Sequence, residues 1–518
     1  MKYLKDLKKN KFTIICVLIF LLLILSRFLF LSNRPVHHDE GMLSYFAYQI
    51  IKEYSYTYTP QIHGPVLFYF QALAFKIFGS ETAIVRFSPA LFGVLLGFVP
   101  LFFKKALGKS KAIVISLLIL ASPILMFYSR FLVHTALSAV FMLVFVLFVW
   151  QFFKKFNANF LFYAAAALAF SFGTSETTYI FCAIFILFLL PFYIFARKDF
   201  AKYLKKFIAF FKSNYPDFVS AFLIFILIWM ALYSFGFTNS EGLRFSYPNP
   251  FDKATGVGFW VSQHKVHLGG QPWFYYLMLG SIYEFLPFIA AIFAIINFKK
   301  SKSVFYLFLV WWAATSTIAF AWAGEKFPWL FLPSLLPIIF LGGYYIGENW
   351  SRFRDISKIS WVILYVFTLF VAFRLCFINP ADTNELAVYV QTPNSFAQIE
   401  NEIKNACRDT NSTDCVVVDS KIQWPMAWDF KDIGHLDSLE NSEFSAQTKY
   451  VIVSSEKSGE FKPKNFESVR VERLRDWWVP DKCRKIDCVS KFTKYFFTRS
   501  TWNPKGGYDV SVYKMKQD

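Results

Sequence analysis

The chain has 518 residues, of which 56% are apolar, 21% are aromatic and only 17% are charged. This composition, with a mean hydropathy of +0.40, excludes a soluble globular protein and predicts an α-helical polytopic membrane protein. The formal net charge of +19 is compatible with nucleic-acid binding. However, the basic residues cluster in short loops between apolar runs, which is typical of cytoplasmic membrane loops, so no nucleic acid is expected as a partner.

The N-terminal segment predicts a retained first membrane helix. The basic stretch MKYLKDLKKNKF precedes the apolar run TIICVLIFLLLILSRFLFLS. That run is too long for the apolar region of a signal peptide, and no small-residue cleavage site follows it. We therefore expect the N-terminus to lie in the cytoplasm.

Eleven apolar runs are candidate membrane spans, since a spanning helix needs about 20 apolar residues. They are 13–31, 83–103, 112–128, 135–153, 159–173, 178–196, 218–237, 274–297, 304–323, 328–347 and 360–378. Basic loops follow every second run, which predicts that these loops are cytoplasmic and that the others face the outer side of the inner (cytoplasmic) membrane. Because the number of spans is odd, the C-terminal part is also expected outside, in the periplasm or extracellular space.

The first outer loop, residues 32–82, is more than a linker. EGMLSYFAYQIIKEY and PVLFYFQALAFKIF have helical apolar spacing with few charges, and YSYTYTPQIHGP joins them. We expect two helices in the plane of the membrane interface, above a cavity between the spans. All seven histidines of the chain fall in the outer segments, which indicates chemistry on the outer face.

The composition changes abruptly after residue 378 and predicts two domains, a transmembrane domain at 1–378 and an outer α/β domain at 379–518. Short β-like runs (LAVYVQ, CVVVD, KYVIVSS, SVRVERL and YDVSVYKM) alternate with helical stretches (SFAQIENEIKNAC and SKFTKYFF). Neither a GxxxxGK[ST] loop nor a GxGxxG fingerprint occurs, which argues against ATP-driven transport by this chain alone.

Four cysteines lie in the predicted outer domain as two close pairs, Cys407 with Cys415 and Cys483 with Cys488. Such pairs are typical of local disulfides in an oxidising compartment. A zinc site is the alternative, although the spacings are not those of common zinc motifs.

Asp39 and Glu40, in the stretch HHDEGMLSYF, follow the first span directly. Placing a carboxylate beside a bilayer costs free energy, so we expect these two residues to have a role that offsets this cost. One role is to cap the helix that begins there, which remains an equal alternative for Glu40. The other is catalysis, since a carboxylate at the surface serves as general base toward a hydroxyl acceptor, and for Asp39 we favour it.

Three cations are predicted at the outer ends of helices: Arg86, Arg130 and Lys326. Snorkelling of the long side chains explains any one of them. Together, at one membrane level, they indicate binding of an anionic phosphate. Glu176 in GTSETTY and Glu284 within a span are further candidate acids, and His264 with His267 has the i, i+3 spacing of metal ligands.

Seven stretches carry a resemblance to a known family: HHDEGMLSYFAYQI, YTYTPQIHGPVLFYFQALAFKIFG, VRFSPALFGVLLG, SPILMFYSRFLVH, FYYLMLGSIYEFLP, AGEKFPWLFLPSLLPIIFLGG and NPADTNELAVYVQT. With them the chain resembles the dolichyl-phosphate-mannose-protein mannosyltransferase superfamily of GT-C membrane glycosyltransferases. It is most similar to the bacterial and archaeal branch associated with flippase activity. The resemblance implies a GT-C fold and transfer of a sugar from a polyprenyl-phosphate carrier on the outer face.

The resemblance also implies roles for individual residues. Asp39 matches the first-loop aspartate that the superfamily uses as catalytic base, and Arg130 matches the arginine of the outer turn after the third span. Glu325 and Lys326 match the branch's EK-PWL element, and His63 lies in the matching HGP element. The candidate catalytic residues are thus Asp39 and Glu40, and the candidate substrate-binding residues are His63, Arg86, Arg130, His134, Glu176, Glu325 and Lys326.

Two positions depart from the family pattern. Where many relatives carry an acid shortly after the arginine, this chain reads Val133-His134-Thr135, and Ser175 precedes Glu176 where relatives often have a lysine. The candidate cofactor is a divalent metal ion, Mg²⁺ or Mn²⁺, whose need stays open because that acid is missing. His134 is the candidate replacement, as a metal ligand or a phosphate partner.

The sequence therefore predicts an inverting glycosyltransferase that moves a sugar from a polyprenyl-phosphate carrier to a hydroxyl of a saccharide, lipid or protein, surrounded by membrane lipids. The alternative is a non-enzymatic transporter or flippase accessory for lipid-linked saccharides. Residues 409–413, DTNST, also contain an N-glycosylation sequon at Asn411.

Overall fold

The computed structural model describes residues 2–264, 266–267, 269–297, 303–409, 412–439, 444–457, 461, 463, 465–481 and 485–516. They form two compact units. The first unit comprises Met1–Leu29, Glu53–Ala74 and Arg86–Cys376, and the second comprises Phe30–Lys52, Phe75–Val85 and Phe377–Asp518. The domain boundary predicted at residue 378 stays a prediction.

The α-helices are numbered in chain order. They are α1 (Lys2–Phe28), α2 (His38–Glu53), α3 (Val66–Phe78), α4 (Thr82–Val85), α5 (Phe87–Phe102), α6 (Lys104–Leu107), α7 (Lys109–Ala121), α8 (Pro123–Tyr128), α9 (Thr135–Lys155), α10 (Asn159–Phe172), α11 (Thr177–Leu187), α12 (Leu189–Phe195), α13 (Arg197–Ser213), α14 (Tyr215–Tyr233), α15 (Glu241–Ser246), α16 (Gly256–Gln263), α17 (Tyr275–Tyr283), α18 (Phe285–Ile296), α19 (Val304–Trp322), α20 (Leu332–Asn349), α21 (Asp355–Phe373), α22 (Asn394–Ala406), α23 (Met426–Asp429) and α24 (Lys485–Thr498).

Seven helical segments among the described residues are long and apolar enough to cross a membrane. They are Lys11–Phe28, Thr135–Lys155, Thr177–Phe195, Tyr215–Tyr233, Val304–Trp322, Pro328–Arg352 and Asp355–Ile378. The pair α17 and α18, bent by 105°, makes an eighth if it is one span. The prediction of a multi-pass helical membrane protein is confirmed, and each of these segments overlaps a predicted span.

The remaining three predicted spans, 83–103, 112–128 and 159–173, contain only shorter helices. In the second of them, α7 ends at Ala121 and α8 begins at Pro123. Ser122 separates the two, and its side chain accepts a hydrogen bond from the Leu125 backbone. Proline begins a helix well but cannot continue one, so an unbroken apolar run becomes two helices. The predicted number of eleven spans stays a prediction.

Small residues allow the helices of the first unit to pack closely. At Gly343 of α20, an added Cβ would lie 2.6 Å from Cγ1 of Ile115 in α7. A residue with a side chain would therefore push these two helices apart. Close approach through glycine is a usual device for packing helices in membranes, where the surrounding lipid provides no hydrophobic driving force.

The second unit contains a five-stranded mixed sheet with the order β2-β1-β3-β5-β4. The strands are β1 (Val416–Asp419), β2 (Gly434–Asp437), β3 (Tyr450–Ser454), β4 (Phe466–Trp477) and β5 (Gly506–Met515). Strand β1 runs parallel to β2 and β3, whereas β5 is antiparallel to β3 and β4. This sheet, with α22 packed beside it through buried Phe396, Ile399 and Ile403, confirms the predicted small C-terminal α/β domain.

Two details of that prediction need correction or completion. The run LAVYVQ, residues 386–391, forms turns instead of a strand, and only Gln391 makes a β-bridge, with Asp476. The Cys407–Cys415 disulfide is confirmed, which excludes the zinc alternative for this pair. The other predicted pair includes Cys483, and the sequon includes Asn411; both residues lie outside the described part of the chain.

Candidate active site

The start of α2 is held by a reciprocal capping arrangement. The backbone N–H of His37 donates to Oε2 of Glu40 at 3.0 Å. In return, Nδ1 of His37 accepts a hydrogen bond from the backbone N–H of Asp39 at 2.9 Å. Two N–H groups that the first turn of a helix leaves without partners are thereby satisfied, as in a capping box. The capping role considered for Glu40 is therefore present in the structure.

Glu40 also forms a buried ion pair. Nη2 of Arg34 donates to Oε1 of Glu40 at 2.9 Å, and the two side chains are 3% and 0% exposed. Nη1 of Arg34 donates to the side-chain oxygen of Gln391 at 3.2 Å. Both carboxylate oxygens of Glu40 are thus engaged with the protein, and Arg34 connects the start of α2 to Gln391, in the segment that follows residue 377.

His37 is a neutral structural histidine. Its Nε2 lies 2.7 Å from the backbone oxygen of Tyr389. A carbonyl oxygen only accepts, so Nε2 carries the hydrogen and Nδ1, which accepts from Asp39, does not. Burial lowers the pKa of His37 to about 4, against the opposing effect of Asp39 and Glu40, which raise it. His37 therefore remains uncharged at neutral pH and fixes Asp39 relative to Tyr389.

Asp39 and His38 form a second, more accessible pair. Nδ1 of His38 lies 2.8 Å from Oδ1 of Asp39, and the side chains are 24% and 26% exposed. Burial raises the pKa of Asp39, but the hydrogen bond from His38 and the electrostatic effects of His37, His38 and Arg475 outweigh it. The pKa consequently lies below its usual range, and Asp39 is an ionised carboxylate that accepts the hydrogen of His38.

Arg475 of β4 provides a positive charge that helps to lower the pKa of Asp39. Its guanidinium lies 5.1 Å from the centre of the Tyr508 ring. The neighbouring Asp476 pairs with Gln391 through two backbone hydrogen bonds of 3.0 Å, and Gln391 accepts from Arg34. Within the described residues, the buried Nε of Arg475 has no hydrogen-bond partner. This arginine therefore has donor capacity for an anion.

In the first unit, Glu176 is the centre of a separate cluster. Its two carboxylate oxygens accept hydrogen bonds from the hydroxyl of Tyr58 at 2.7 Å and from Nδ1 of His63 at 2.8 Å. The ring of His63 stacks on Trp260, with centroids 4.6 Å apart, and lies 3.8 Å from the ring of His134. The structure thus brings together three of the predicted substrate-binding residues: His63, His134 and Glu176.

His134 immediately precedes α9 and is 1% exposed. Burial holds its pKa well below the ordinary value, and the neighbouring His63 lowers it further. In the described structure neither ring nitrogen of His134 has a hydrogen-bond partner. Buried polar atoms without partners are costly, so this neutral imidazole is suited to binding a ligand group.

The predicted cations of the first unit are largely committed to the protein. Nη1 of Arg130 donates to the backbone oxygens of Ser26 at 3.1 Å and Arg27 at 3.2 Å. Arg86 is 1% exposed, so it is buried and does not snorkel to a surface. Nζ of Lys326, next to Glu325, donates to the backbone oxygen of Ala323. These contacts with backbone oxygens use donor hydrogens of Arg130 and Lys326. A contact with a phosphate would need donor hydrogens that they do not use.

Glu284 lies at the bend between α17 and α18 and is fully buried. Its Oε1 accepts hydrogen bonds from the hydroxyl of Ser122 at 2.6 Å and from the backbone N–H of Ile124 at 2.9 Å. Oε1 of this carboxylate therefore satisfies one backbone N–H at the N-terminus of α8, whereas the buried Oε2 has no hydrogen-bond partner among the described residues. Its position in the bundle has a structural explanation.

The arrangement of side chains does not fit a metal site. Among the described residues, no group of three or more His, Cys, Asp and Glu side chains is placed to hold a metal ion. Both oxygens of Glu176 already accept hydrogen bonds. In the predicted His264–His267 pair, Nδ1 of His264 accepts from the backbone N–H of Gly324 at 2.9 Å. No step below is therefore assigned to Mg²⁺ or Mn²⁺, and metal dependence stays a prediction.

The candidate residues divide between the two units. Asp39 and Glu40 belong to the second unit, and the seven candidate substrate-binding residues belong to the first. Within the second unit, the sequence reasoning missed Arg34, Tyr389 and Arg475. Arg34 lies only five residues before Asp39, and Tyr389 lies in one of the family-matching stretches, but neither position carries a pattern that indicates its partner. Arg475 is distant from Asp39 along the chain and lies in none of those stretches.

Comparisons with known proteins agree with the predicted fold class. Residues 62–229, less than half of the chain, match the family model described as dolichyl-phosphate-mannose-protein mannosyltransferase. No curated protein matches the chain. The structure is similar to that of ArnT from Cupriavidus metallidurans bound to undecaprenyl phosphate, with a TM-score of 0.63 and 12% identity over 88% of this chain and 96% of that one.

A second similar structure is the archaeal oligosaccharyltransferase AglB from Archaeoglobus fulgidus, in complex with an inhibitory peptide and a dolichol-phosphate. The TM-score is 0.52 and the identity 13%, over 87% of this chain and 70% of that one. At sequence identities of 12% and 13%, structural similarity is evidence of a shared fold alone. The predicted GT-C fold is therefore confirmed, and the family model supports the predicted resemblance over the residues that it matches.

Proposed function

We propose that this chain is a membrane glycosyltransferase that moves a sugar from a polyprenyl-phosphate carrier to an acceptor hydroxyl on the outer face of the cytoplasmic membrane. The observation that carries the proposal is the accessible, ionised Asp39 paired with His38 beside the cation Arg475. Two GT-C proteins of the same fold have been seen with undecaprenyl phosphate and dolichol-phosphate, which supports a lipid phosphate as the donor's leaving group.

The proposed reaction is a single displacement at the anomeric carbon. The acceptor hydroxyl loses its proton to the pair formed by Asp39 and His38, and its oxygen bonds to the anomeric carbon from the face opposite the phosphate. The bond between the anomeric carbon and the phosphate oxygen breaks, and the polyprenyl phosphate leaves with the electron pair. The configuration inverts. The carrier phosphate supplies the activated bond, so no nucleotide is required.

Cations are needed where the negative charge of the leaving phosphate grows. Arg475 is our first candidate, since its buried Nε has no hydrogen-bond partner among the described residues and its positive charge helps to lower the pKa of Asp39. The phosphate-binding roles predicted for Arg86, Arg130, His134 and Lys326 of the first unit stay predictions. The acceptor is a saccharide, a lipid or a protein, and the proposed orientation has the N-terminus in the cytoplasm and the second unit outside.

The alternative is a transporter or flippase accessory for lipid-linked saccharides. A transport path needs polar groups at the middle of the membrane that are available to the substrate. The main intramembrane acid, Glu284, instead binds Ser122 and the N-terminus of α8. This contact favours the enzyme, since the strongest mid-membrane candidate for a transport site is used to hold helices together.

An assay in proteoliposomes separates the two functions. The full chain is reconstituted, and radiolabelled polyprenyl-phosphate sugars are supplied together with acceptors on the side that exposes the second unit. We expect transfer of label from the lipid to acceptor without any need for the carrier to cross the bilayer. Protein-free liposomes are the control. Movement of the carrier across the bilayer without label transfer would support the transporter instead.

Replacing Arg475 with Met is expected to raise the KM for the polyprenyl-phosphate sugar by about 10- to 100-fold, as expected for losing one charge-assisted hydrogen bond. Initial rates over a range of donor concentrations measure the effect. Arg473→Met is the matched control, because Arg473 lies on the same strand but pairs with Asp509 at 2.7 Å. Equal KM values for the two variants would show that Arg475 does not bind the donor.

A further inference from the structure

The second unit contains two adjacent histidines with opposite surroundings. His37 is 1% exposed, and both of its ring nitrogens are engaged, one with Tyr389 and the other with Asp39. The side chain of His38 is 24% exposed, and only its Nδ1 has a partner. In the described part of the chain, no hydrogen bond is made by Nε2 of His38. Of the two imidazoles, only His38 therefore has a ring nitrogen available to a substrate.

The partner of Nδ1 determines which nitrogen of His38 is basic. A carboxylate oxygen only accepts hydrogen bonds, so the hydrogen between His38 and Asp39 belongs to Nδ1. In the neutral ring, Nε2 then has a free lone pair. The adjacent negative charge of Asp39, 2.8 Å away, also stabilises the positive ring that forms when Nε2 takes a proton.

The nearby carboxylates are less suited to this role. Both oxygens of Glu40 are engaged, with Arg34 and with the backbone of His37. Asp39 already accepts a hydrogen from His38, and the positive groups around it lower its pKa. A carboxylate with a lowered pKa is a poor acceptor for a hydroxyl proton at neutral pH, although it remains a good partner for a charged imidazole.

We propose that Nε2 of His38 accepts the proton of the acceptor hydroxyl and that Asp39 is a positioning residue, which orients the ring and stabilises its charged form. This assignment rests on the proposed glycosyl transfer and specifies its base. As the oxygen–hydrogen bond of the acceptor breaks, the proton passes to Nε2 and the oxygen bonds to the anomeric carbon. The polyprenyl phosphate leaves with the electrons of its bond to the sugar. His38 then returns the proton to solvent.

Rescue by imidazole tests the proposal in the reconstituted full chain. His38→Ala is expected to lower kcat by about 10²- to 10⁴-fold with little change in the KM for the donor. Added imidazole should restore at least part of the lost rate, which a purely structural role would not allow. His435→Ala is the matched control, since this exposed histidine of β2 hydrogen-bonds to the backbone of Thr413 and should be neither impaired nor rescued.

His38→Asn provides a second test if His38→Ala is poorly folded. Its side-chain amide can still donate to Asp39 but has no basic nitrogen, so we expect it to be folded and as inactive as His38→Ala. Full activity of His38→Asn, or a folded His38→Ala that imidazole does not rescue, overturns the assignment of His38 while the wild-type chain still transfers sugar. Absence of transfer by the wild-type chain would count against the proposed function itself.

Discussion

Replacing Asp39 with Asn is expected to lower kcat for sugar transfer by about 10²- to 10⁴-fold, the usual contribution of a positioned acid–base group. Asn has nearly the same shape but no negative charge. It therefore cannot stabilise the charged ring of His38, nor act as a base itself. The side chain of Asp39 is 26% exposed, so the neutral variant should fold normally. Initial rates in proteoliposomes, with thermal unfolding measured in parallel, check both expectations.

Two comparisons make this test specific. Asp432→Asn changes an exposed carboxylate of the same unit, which pairs only with the adjacent Lys431 in the described structure, and should keep wild-type activity. The double variant His38→Asn with Asp39→Asn should be no slower than the slower single variant, because residues that act as one unit show non-additive losses. An Asp39→Asn chain with undiminished transfer would show that this carboxylate has no part in catalysis.

The membrane character of the first unit could be predicted because it depends on local composition. A run of apolar residues is sufficient to indicate a helix in lipid. The number of full-length spans depends on where helices break, and the break at Ser122 is fixed by Pro123 together with the buried Glu284. The contact between Glu284 and Ser122 joins residues far apart in the chain, so hydropathy cannot reveal it.

In the second unit, four of the five β-like runs contain strands, whereas LAVYVQ does not. Its residues instead provide the backbone oxygen of Tyr389 to His37 and the side chain of Gln391 to Arg34. These tertiary contacts override the local preference for a strand. Strand β2, with the residues GHLD, has only one apolar side chain, Leu436, and therefore gave no β-like pattern.

The candidate site was predictable only where a motif carried it. Asp39 was identified from its place after the first span and from the family resemblance. The different roles of residues 37–40 could not be predicted, since each role depends on the partner that the side chain contacts. Arg475 acts on Asp39 from a distant strand, next to the bridge between Asp476 and Gln391, and no local pattern in the sequence encodes that pairing.

Glu40→Gln is expected to lower the free energy of unfolding by about 3–5 kcal/mol, the usual cost of breaking a buried ion pair by removing one partner. The glutamine is neutral, so Arg34, 3% exposed, would be left as a buried charge without its counter-ion. The contact with the backbone N–H of His37 is also weakened, because a glutamine has only one accepting oxygen. Chemical denaturation of the purified full chain in detergent measures the change.

An exposed ion pair of the same unit gives the matched control for this prediction. Glu402 pairs with Arg470 at 2.8 Å, and the two side chains are 59% and 40% exposed. Glu402→Gln should therefore change the free energy of unfolding by less than about 1 kcal/mol, because solvent screens the pair. If Glu40→Gln instead unfolds like the wild type but loses sugar transfer, Glu40 is a catalytic group, as the sequence alone allowed, and its ion pair with Arg34 contributes little to stability.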